Sequence, residues 1–78
     1  MWWYFLKLLQ TEDTYTYSYG YESKELTGVF EYNAKTQETK ILKYAKDHTE
    51  SSQKAFPIPA YKLIVKHGAP EERMIAIG

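Results

Sequence analysis

A strict alternation of aromatic and small side chains constrains this chain more than any other feature of its sequence. The segment Thr14–Tyr21 reads Thr-Tyr-Thr-Tyr-Ser-Tyr-Gly-Tyr. Successive side chains of a β-strand point to opposite faces, so the aromatic residues share one face and the small residues the other. β-branched and aromatic residues also favour a pleated backbone. The pattern therefore predicts a strand with one aromatic face, which carries Tyr15, Tyr17, Tyr19 and Tyr21.

The first residues predict another strand, apolar on both faces. One face carries Trp2, Tyr4, Leu6 and Leu8, and the other carries Trp3, Phe5, Lys7 and Leu9. This pattern is typical of a strand that is covered on both sides. Because a single helix can pack on only one face of a sheet, we expect a second copy of the chain to cover the other face.

The middle of the chain predicts a β-hairpin. The apolar runs 26–32 and 39–45 are separated by the polar stretch Asn33–Gln37, which has the length of a hairpin loop. A polar turn at 10–14 separates the first two strands. A short apolar run at 73–77 predicts a last strand, so that both ends of the chain belong to the sheet.

The segment between the hairpin and the last strand predicts helix. Asp47 and Glu50 have the spacing of a capping box, and Pro57 and Pro59 argue against an uninterrupted helix from there to Gly68. We predict a separate helix over 58–67, with the prolines in its first turn and Gly68 as its stop. A strand is the alternative, because apolar residues also alternate with lysines in 61–66.

Together these elements predict one domain, residues 1–78, of the α+β class. Its small, mainly antiparallel sheet of four or five strands would pack one face on one principal helix. The chain contains no cysteine, which excludes disulfides and thiolate metal sites. Self-association is the remaining common source of stability for so small a domain. The apolar start is too short to span a bilayer and lacks the features of a secretory signal, so we expect a cytoplasmic protein.

The charge distribution argues against nucleic acid and membrane as partners. Ten basic residues balance ten acidic ones. Residues 1–34 carry two basic and five acidic side chains, and residues 35–78 carry eight basic and five acidic ones. Acidic residues flank the tyrosines and would repel phosphate. The only basic cluster, Lys40, Lys43 and Lys46, is expected to be solvated and divided between two strand faces.

No catalytic, cofactor-binding or metal-binding residue is predicted, and we expect the chain not to be an enzyme. Two histidines, His48 and His67, are too far apart in sequence to place two metal ligands on one element, and each is predicted to lie at the surface or at a helix end. An enzyme would require one of them to lie beside a carboxylate in a pocket.

The function predicted from these features is that of an accessory protein that self-associates through an aromatic sheet face, with a further protein as another partner. The predicted interaction residues are Trp2, Trp3, Tyr15, Tyr17, Tyr19 and Tyr21. The alternative is a module that binds a glycan or single-stranded nucleic acid on the four tyrosines. In a third arrangement the tyrosines belong to the core and have no binding role.

Overall fold

A five-stranded antiparallel sheet forms the frame of the protein. The computed structural model describes residues 1–46 and 48–77. The strands are β1 (Trp2–Gln10), β2 (Thr14–Tyr21), β3 (Gly28–Asn33), β4 (Glu38–Lys43) and β5 (Glu72–Ala76). Their order across the sheet is β4-β3-β2-β1-β5, and every neighbouring pair is antiparallel. The predicted α+β class, the antiparallel sheet and the hairpin of β3 and β4 are therefore confirmed.

A joined helical segment covers one face of this sheet. It consists of α1 (Glu50–Ala55), α2 (Pro57–Tyr61) and a π-helical turn over Lys62–Lys66. The helix predicted over 58–67 is therefore confirmed, and the strand alternative is wrong. The segment ends as predicted, since Gly68 adopts a left-handed φ of 72° and the next N–H, that of Ala69, donates to the carbonyl of Leu63.

The two prolines lie in the first turn of α2, as predicted, but they do not isolate it from α1. Phe56, between α1 and α2, keeps helical backbone angles (φ −56°, ψ −36°). Its N–H reaches the carbonyl of Gln53, three residues back, and the regular four-residue spacing resumes where Ala60 donates to Phe56. Since proline removes a donor but is compatible with helical φ, the backbone continues through both positions with a few hydrogen bonds missing.

The start of α1 is capped by a residue that the sequence analysis did not select. Thr49 is the N-cap, and its hydroxyl accepts a hydrogen bond from the N–H of Ser52 at 3.2 Å. Asp47, which was predicted to cap the helix, lies outside the described residues.

The centre of the covered face of the sheet is aromatic. Phe56 projects from the α1–α2 junction into this face, and its ring centroid lies 4.7 Å from that of Tyr19 and 5.1 Å from that of Phe30. Trp3 and Phe5 of β1 approach the same ring at 6.1 and 6.2 Å. All five side chains have no exposed surface. The core is therefore a layer of aromatic rings between the sheet and the helices.

Two bulges change which side chains share a face. Leu8 is an extra residue in β1, because Lys7 pairs with Tyr17 and Leu9 with Thr16. The shift moves Leu9 to the face opposite the helices, contrary to the simple alternation. Leu42 is the extra residue in β4, so Lys40 and Lys43 lie on one face, where the sequence analysis had divided them between two.

Candidate functional site

Three of the six predicted interaction residues lie in the core. The side chains of Trp3, Tyr17 and Tyr19 have no exposed surface, because the helical segment covers their face of the sheet. Tyr15 and Tyr21 lie at the two ends of the row of four tyrosines on β2, which we call the tyrosine stripe. Both are partly buried and pack against the core. A glycan or a base can therefore reach only these two tyrosines in the folded chain. The placement settles that the stripe is mainly core, and the binding role of the remaining rings stays a prediction.

The sixth residue, Trp2, belongs to the opposite face of the sheet, which we call the open face. On β1 and β5 this face carries a continuous apolar patch. Tyr4 pairs with Met74, and Leu6 follows on the same side of β1. Met74 and Leu9 are 54% and 59% exposed in the single chain, so its described part does not cover this face of β1, and the predicted cover by a second copy stays a prediction. The patch consists of Trp2, Tyr4, Leu6, Leu9 and Met74.

One end of the open face is covered by the chain itself. The connection between β2 and β3 folds back over Gly20, where a Cβ atom would collide with the carbonyl oxygen of Ser23 and lie 2.6 Å from that of Glu25. The ammonium of Lys24 lies 5.7 Å from the centre of the Tyr4 ring, in cation–π geometry. The exposed part of the patch is therefore centred on Leu6, Leu9 and Met74.

On the covered side, a buried tyrosine–histidine pair lies where β2 meets the connection between β4 and α1. The hydroxyl of Tyr19 and Nδ1 of His48 are joined by a hydrogen bond of 2.8 Å, and the N–H of Ala45 donates to the same hydroxyl at 3.1 Å. Burial raises the pKa of Tyr19 to about 12, so its hydroxyl stays protonated at neutral pH. The ring of Tyr19 packs over Gly28, which has no side chain to obstruct it.

His48 is enclosed by aromatic rings, which corrects the prediction of a surface imidazole. Tyr21 stacks on it at 5.4 Å and 21°, and Phe56 lies 5.5 Å away. Only 7% of His48 is exposed, and its Nε2 atom is buried without a hydrogen-bond partner in the described part of the chain. No periodicity in the sequence signals this burial, because it arises from the packing of a connection against β2.

The geometry around the histidines offers no acid–base pair. In residues 1–46 and 48–77, the one ion pair joins Lys7 to Glu71, and neither imidazole has a carboxylate partner. The same residues contain no cluster of three side chains able to hold a metal ion. Nε2 of His48 is also out of reach of a substrate. The expectation that the chain is not an enzyme stays a prediction.

The buried imidazole should make the stability of the protein depend on pH. Burial lowers the pKa of His48, so the unfolded chain, with an ordinary pKa of about 6.5, binds a proton more readily than the folded one. We expect the free energy of unfolding to be highest above this value. It should decrease by up to about 1.4 kcal/mol per pH unit as the pH falls from there to the folded-state pKa. Urea unfolding at a series of pH values measures this slope.

Two variants assign the pH effect to its residue. The His48→Gln substitution should flatten the slope in this interval, whereas His67→Gln should leave most of it. The comparison is needed because the pKa of His67 is lowered as well, by partial burial and by the nearby cations Arg73, Lys66 and Lys62. An unchanged slope in His48→Gln would contradict the assignment.

A polar cleft lies at the end of the sheet next to His48. It is formed between the β2–β3 connection and the β4–α1 connection and has a volume of about 440 Å³. Its walls contain the ring of Tyr21, the charged side chains of Glu22, Glu25 and Lys46, and three hydroxyl groups. The hydroxyl groups belong to Ser23, Thr27 and Thr49. Except for Tyr21, the sequence analysis selected none of these as site residues, because residues from two distant connections form the cleft.

Comparison with known proteins gives no relative: no family model, no curated protein and no solved structure matches the chain. No helix in the described ranges is long and apolar enough to cross a membrane. Functional inference therefore depends on the open face and the cleft.

Proposed function

We propose that this chain is a non-enzymatic interaction protein that forms a homodimer by packing the open face of one copy on the open face of another. The observation that carries the proposal is the continuous patch of Trp2, Tyr4, Leu6, Leu9 and Met74 on adjacent strands. A sheet with one apolar uncovered face gains free energy when a second layer covers it. A cytoplasmic location belongs to the same proposal.

The size of the open face supports a dimer of moderate affinity. Five strands spaced by about 4.8 Å make a face roughly 24 Å wide, and strands of five to nine residues are about 17 to 30 Å long. The resulting projected area of about 400 to 700 Å², part of which the β2–β3 connection covers, is smaller than the roughly 800 Å² per partner of a standard interface. A dissociation constant in the micromolar range agrees with this area.

The charges of the open face suit a second copy of the same chain. The strand register and the Lys24–Tyr4 contact place three acidic and three basic side chains there, and Glu31 and Lys40 are direct neighbours across β3 and β4. Balanced charges allow two identical faces to meet without net repulsion. The charged members of the face are Glu31, Glu38, Glu72, Lys24, Lys40 and Lys43.

The edges of the sheet are less suited to self-association than its face. The β4 edge contains a bulge together with Lys40 and Lys43, and the β5 edge is five residues long and begins with Glu72 and Arg73. Bulges, charged residues and short edge strands are the features by which proteins prevent pairing between edges. We therefore place the contact on the open face.

The dimer predicts a defined response to substitution. The double variant Leu6→Lys/Met74→Lys should weaken association more than about a hundredfold, because two ammonium groups in each half of the interface would have to be desolvated and Glu72 can compensate only one of them. The monomer should stay folded, since Leu6 pairs with Glu72 and its replacement would place an ammonium beside that carboxylate. Sedimentation velocity over a range of micromolar concentrations measures the dissociation constant.

The matched control lies on the outer side of the helices. Ile58 and Val65 are each 51% exposed, similar to the 54% of Met74, but they lie on the opposite side of the molecule. The double variant Ile58→Lys/Val65→Lys should dimerise as the wild type does. A wild-type protein that sediments only as a monomer at about 100 μM, or a control that dissociates equally, would overturn the proposal.

A further inference from the structure

We infer that the cleft between the β2–β3 and β4–α1 connections is a binding site for a neutral saccharide. The cleft borders the open face through the β2–β3 connection, but its lining contains no residue of the apolar patch, so self-association and saccharide binding can be tested separately. Its volume of about 440 Å³ lies within the range of small-molecule sites.

The cleft contains a fixed aromatic platform. Tyr21 packs against two rings, with centroid distances of 5.5 Å to Trp3 and 5.4 Å to His48. The residue is partly exposed and lines the cleft. A pyranose ring has a face of C–H groups that packs on such a ring, and an aromatic side chain with few rotatable bonds loses little entropy on binding. Tyr21 is thus the one ring of the tyrosine stripe that a ligand in this cleft can reach.

The remaining lining groups match the hydroxyl rim of a sugar. The carboxylates of Glu22 and Glu25 accept hydrogen bonds from hydroxyl groups, and the ammonium of Lys46 donates to them. The hydroxyls of Ser23 and Thr27 accept from the N–H groups of Glu25 and Lys46 at 3.0 and 2.8 Å. Each therefore keeps its own hydrogen to donate to a ligand.

The charge of the lining selects a neutral ligand over a phosphorylated one. Among the described residues, the lining carries two carboxylates and one ammonium, so an anion would meet net repulsion. The lining is also too polar for a purely apolar compound, which would leave these charged groups unpaired. A polyhydroxylated neutral molecule satisfies both conditions.

Hydrogen bonds join described residues of the two walls to each other and to the sheet. The N–H of Lys46 bonds to the Thr27 hydroxyl and so links the two connections directly. The N–H of Glu22 donates to the carbonyl of Trp2 at 2.9 Å and anchors the first wall to β1. Glu22 adopts a left-handed φ of 49°, a backbone conformation that residues other than glycine rarely adopt. Walls that need not be ordered on binding favour affinity.

The test is a titration of the isotopically labelled protein, followed by amide chemical shifts. The probes are galactose, mannose, N-acetylglucosamine, maltose and cellobiose at millimolar concentrations, with inorganic phosphate and a short oligothymidylate as anionic probes. We expect at least one sugar to cause saturable shifts confined to residues 21–27, 46 and 49. The anionic probes should cause none there.

Paired variants separate the cleft from other surfaces. Tyr21→Leu removes the platform while keeping an apolar side chain against Trp3, and it should weaken saccharide binding at least tenfold. Tyr15→Leu changes the partly buried tyrosine at the other end of the stripe and should leave binding unchanged. Glu25→Gln should weaken binding severalfold, whereas Glu12→Gln, in the distant β1–β2 turn, should not. The charge variants avoid the core and need not affect folding.

Three results would overturn the inference. The first is the absence of saturable shifts with all five sugars. The second is a preference of the cleft for phosphate or oligothymidylate. The third is saccharide binding that persists at wild-type strength in a folded Tyr21→Leu variant, which would place the sugar elsewhere on the surface.

Discussion

Replacement of Phe56 by alanine is expected to remove a large share of the stability of the protein. Removal of a buried phenylalanine side chain costs about 3 to 5 kcal/mol, because the transfer free energy is lost and a cavity remains. A chain of this length has a total stability of about 4 to 12 kcal/mol. The loss on substitution of Phe56 should be near the upper end of the range of about 3 to 5 kcal/mol, at about 5 kcal/mol, because Phe56 contacts rings from β1, β2 and β3 at once.

Two further variants make the Phe56 effect measurable. Phe56→Leu keeps most of the volume and should cost about 1.5 kcal/mol, so the protein should still fold. Ile58→Ala, two residues further along the helical segment, removes a side chain that is 51% exposed and should cost well under about 1 kcal/mol. Urea unfolding monitored by tryptophan fluorescence compares all three. Equal losses for Phe56→Ala and Ile58→Ala would show that the ring at the helix junction does not hold the core together.

Gly28→Ala is the second substitution with a large expected effect, although alanine is usually the better residue in a strand. Alanine normally gains about 0.5 to 1 kcal/mol over glycine inside a strand. At this position its Cβ would collide with the ring of Tyr19 and lie 2.7 Å from the backbone nitrogen of Ala45. Overpacking of this kind costs about 1 to 3 kcal/mol, and displacing the Tyr19 hydroxyl from its buried partners adds about 1 to 3 kcal/mol. We expect a net loss of about 3 kcal/mol.

The other glycines and Tyr19 itself supply the controls for Gly28. Gly68 has open space around its Cβ position but a left-handed φ of 72°, so Gly68→Ala should cost only about 1 kcal/mol through backbone strain. In the background Tyr19→Leu, which removes the ring, the cost of Gly28→Ala should decrease and leave the contact with Ala45. Full additivity of the two changes, measured by urea unfolding, would contradict the proposed collision.

The elements of the fold could be predicted from local sequence patterns. Side-chain alternation also predicted which residues of each strand share a face. The strand Thr14–Tyr21 has the predicted bounds, and Gly68 ends the helical segment as expected. Pro57 and Pro59 lie in the first turn of α2 as predicted, but the sequence did not show that α1 continues into α2 through Phe56 with helical backbone angles. The bulges at Leu8 and Leu42 were also missed, since an extra residue is visible only against its partner strand.

The candidate sites were less accessible to sequence reasoning than the strands. Alternation correctly placed Trp2 and Trp3 on opposite faces of the sheet. The expectation of a second cover, which came from counting one helix against two faces, stays a prediction. Tertiary structure alone decided that Tyr17 and Tyr19 are core and that Leu9 and Met74 are exposed. The cleft beside Tyr21 was not predictable, because segments about twenty residues apart meet there through the Thr27–Lys46 hydrogen bond.

The sequence by itself thus determined that Tyr15, Tyr17, Tyr19 and Tyr21 share one face of a strand, because the two-residue period of a pleated backbone is a local property. Tertiary structure decided which face of the sheet receives the helices. β1 is apolar on both faces, so hydrophobicity alone does not distinguish them. The choice depends on where Phe56 finds a fitting set of rings, and that set comes from three different strands.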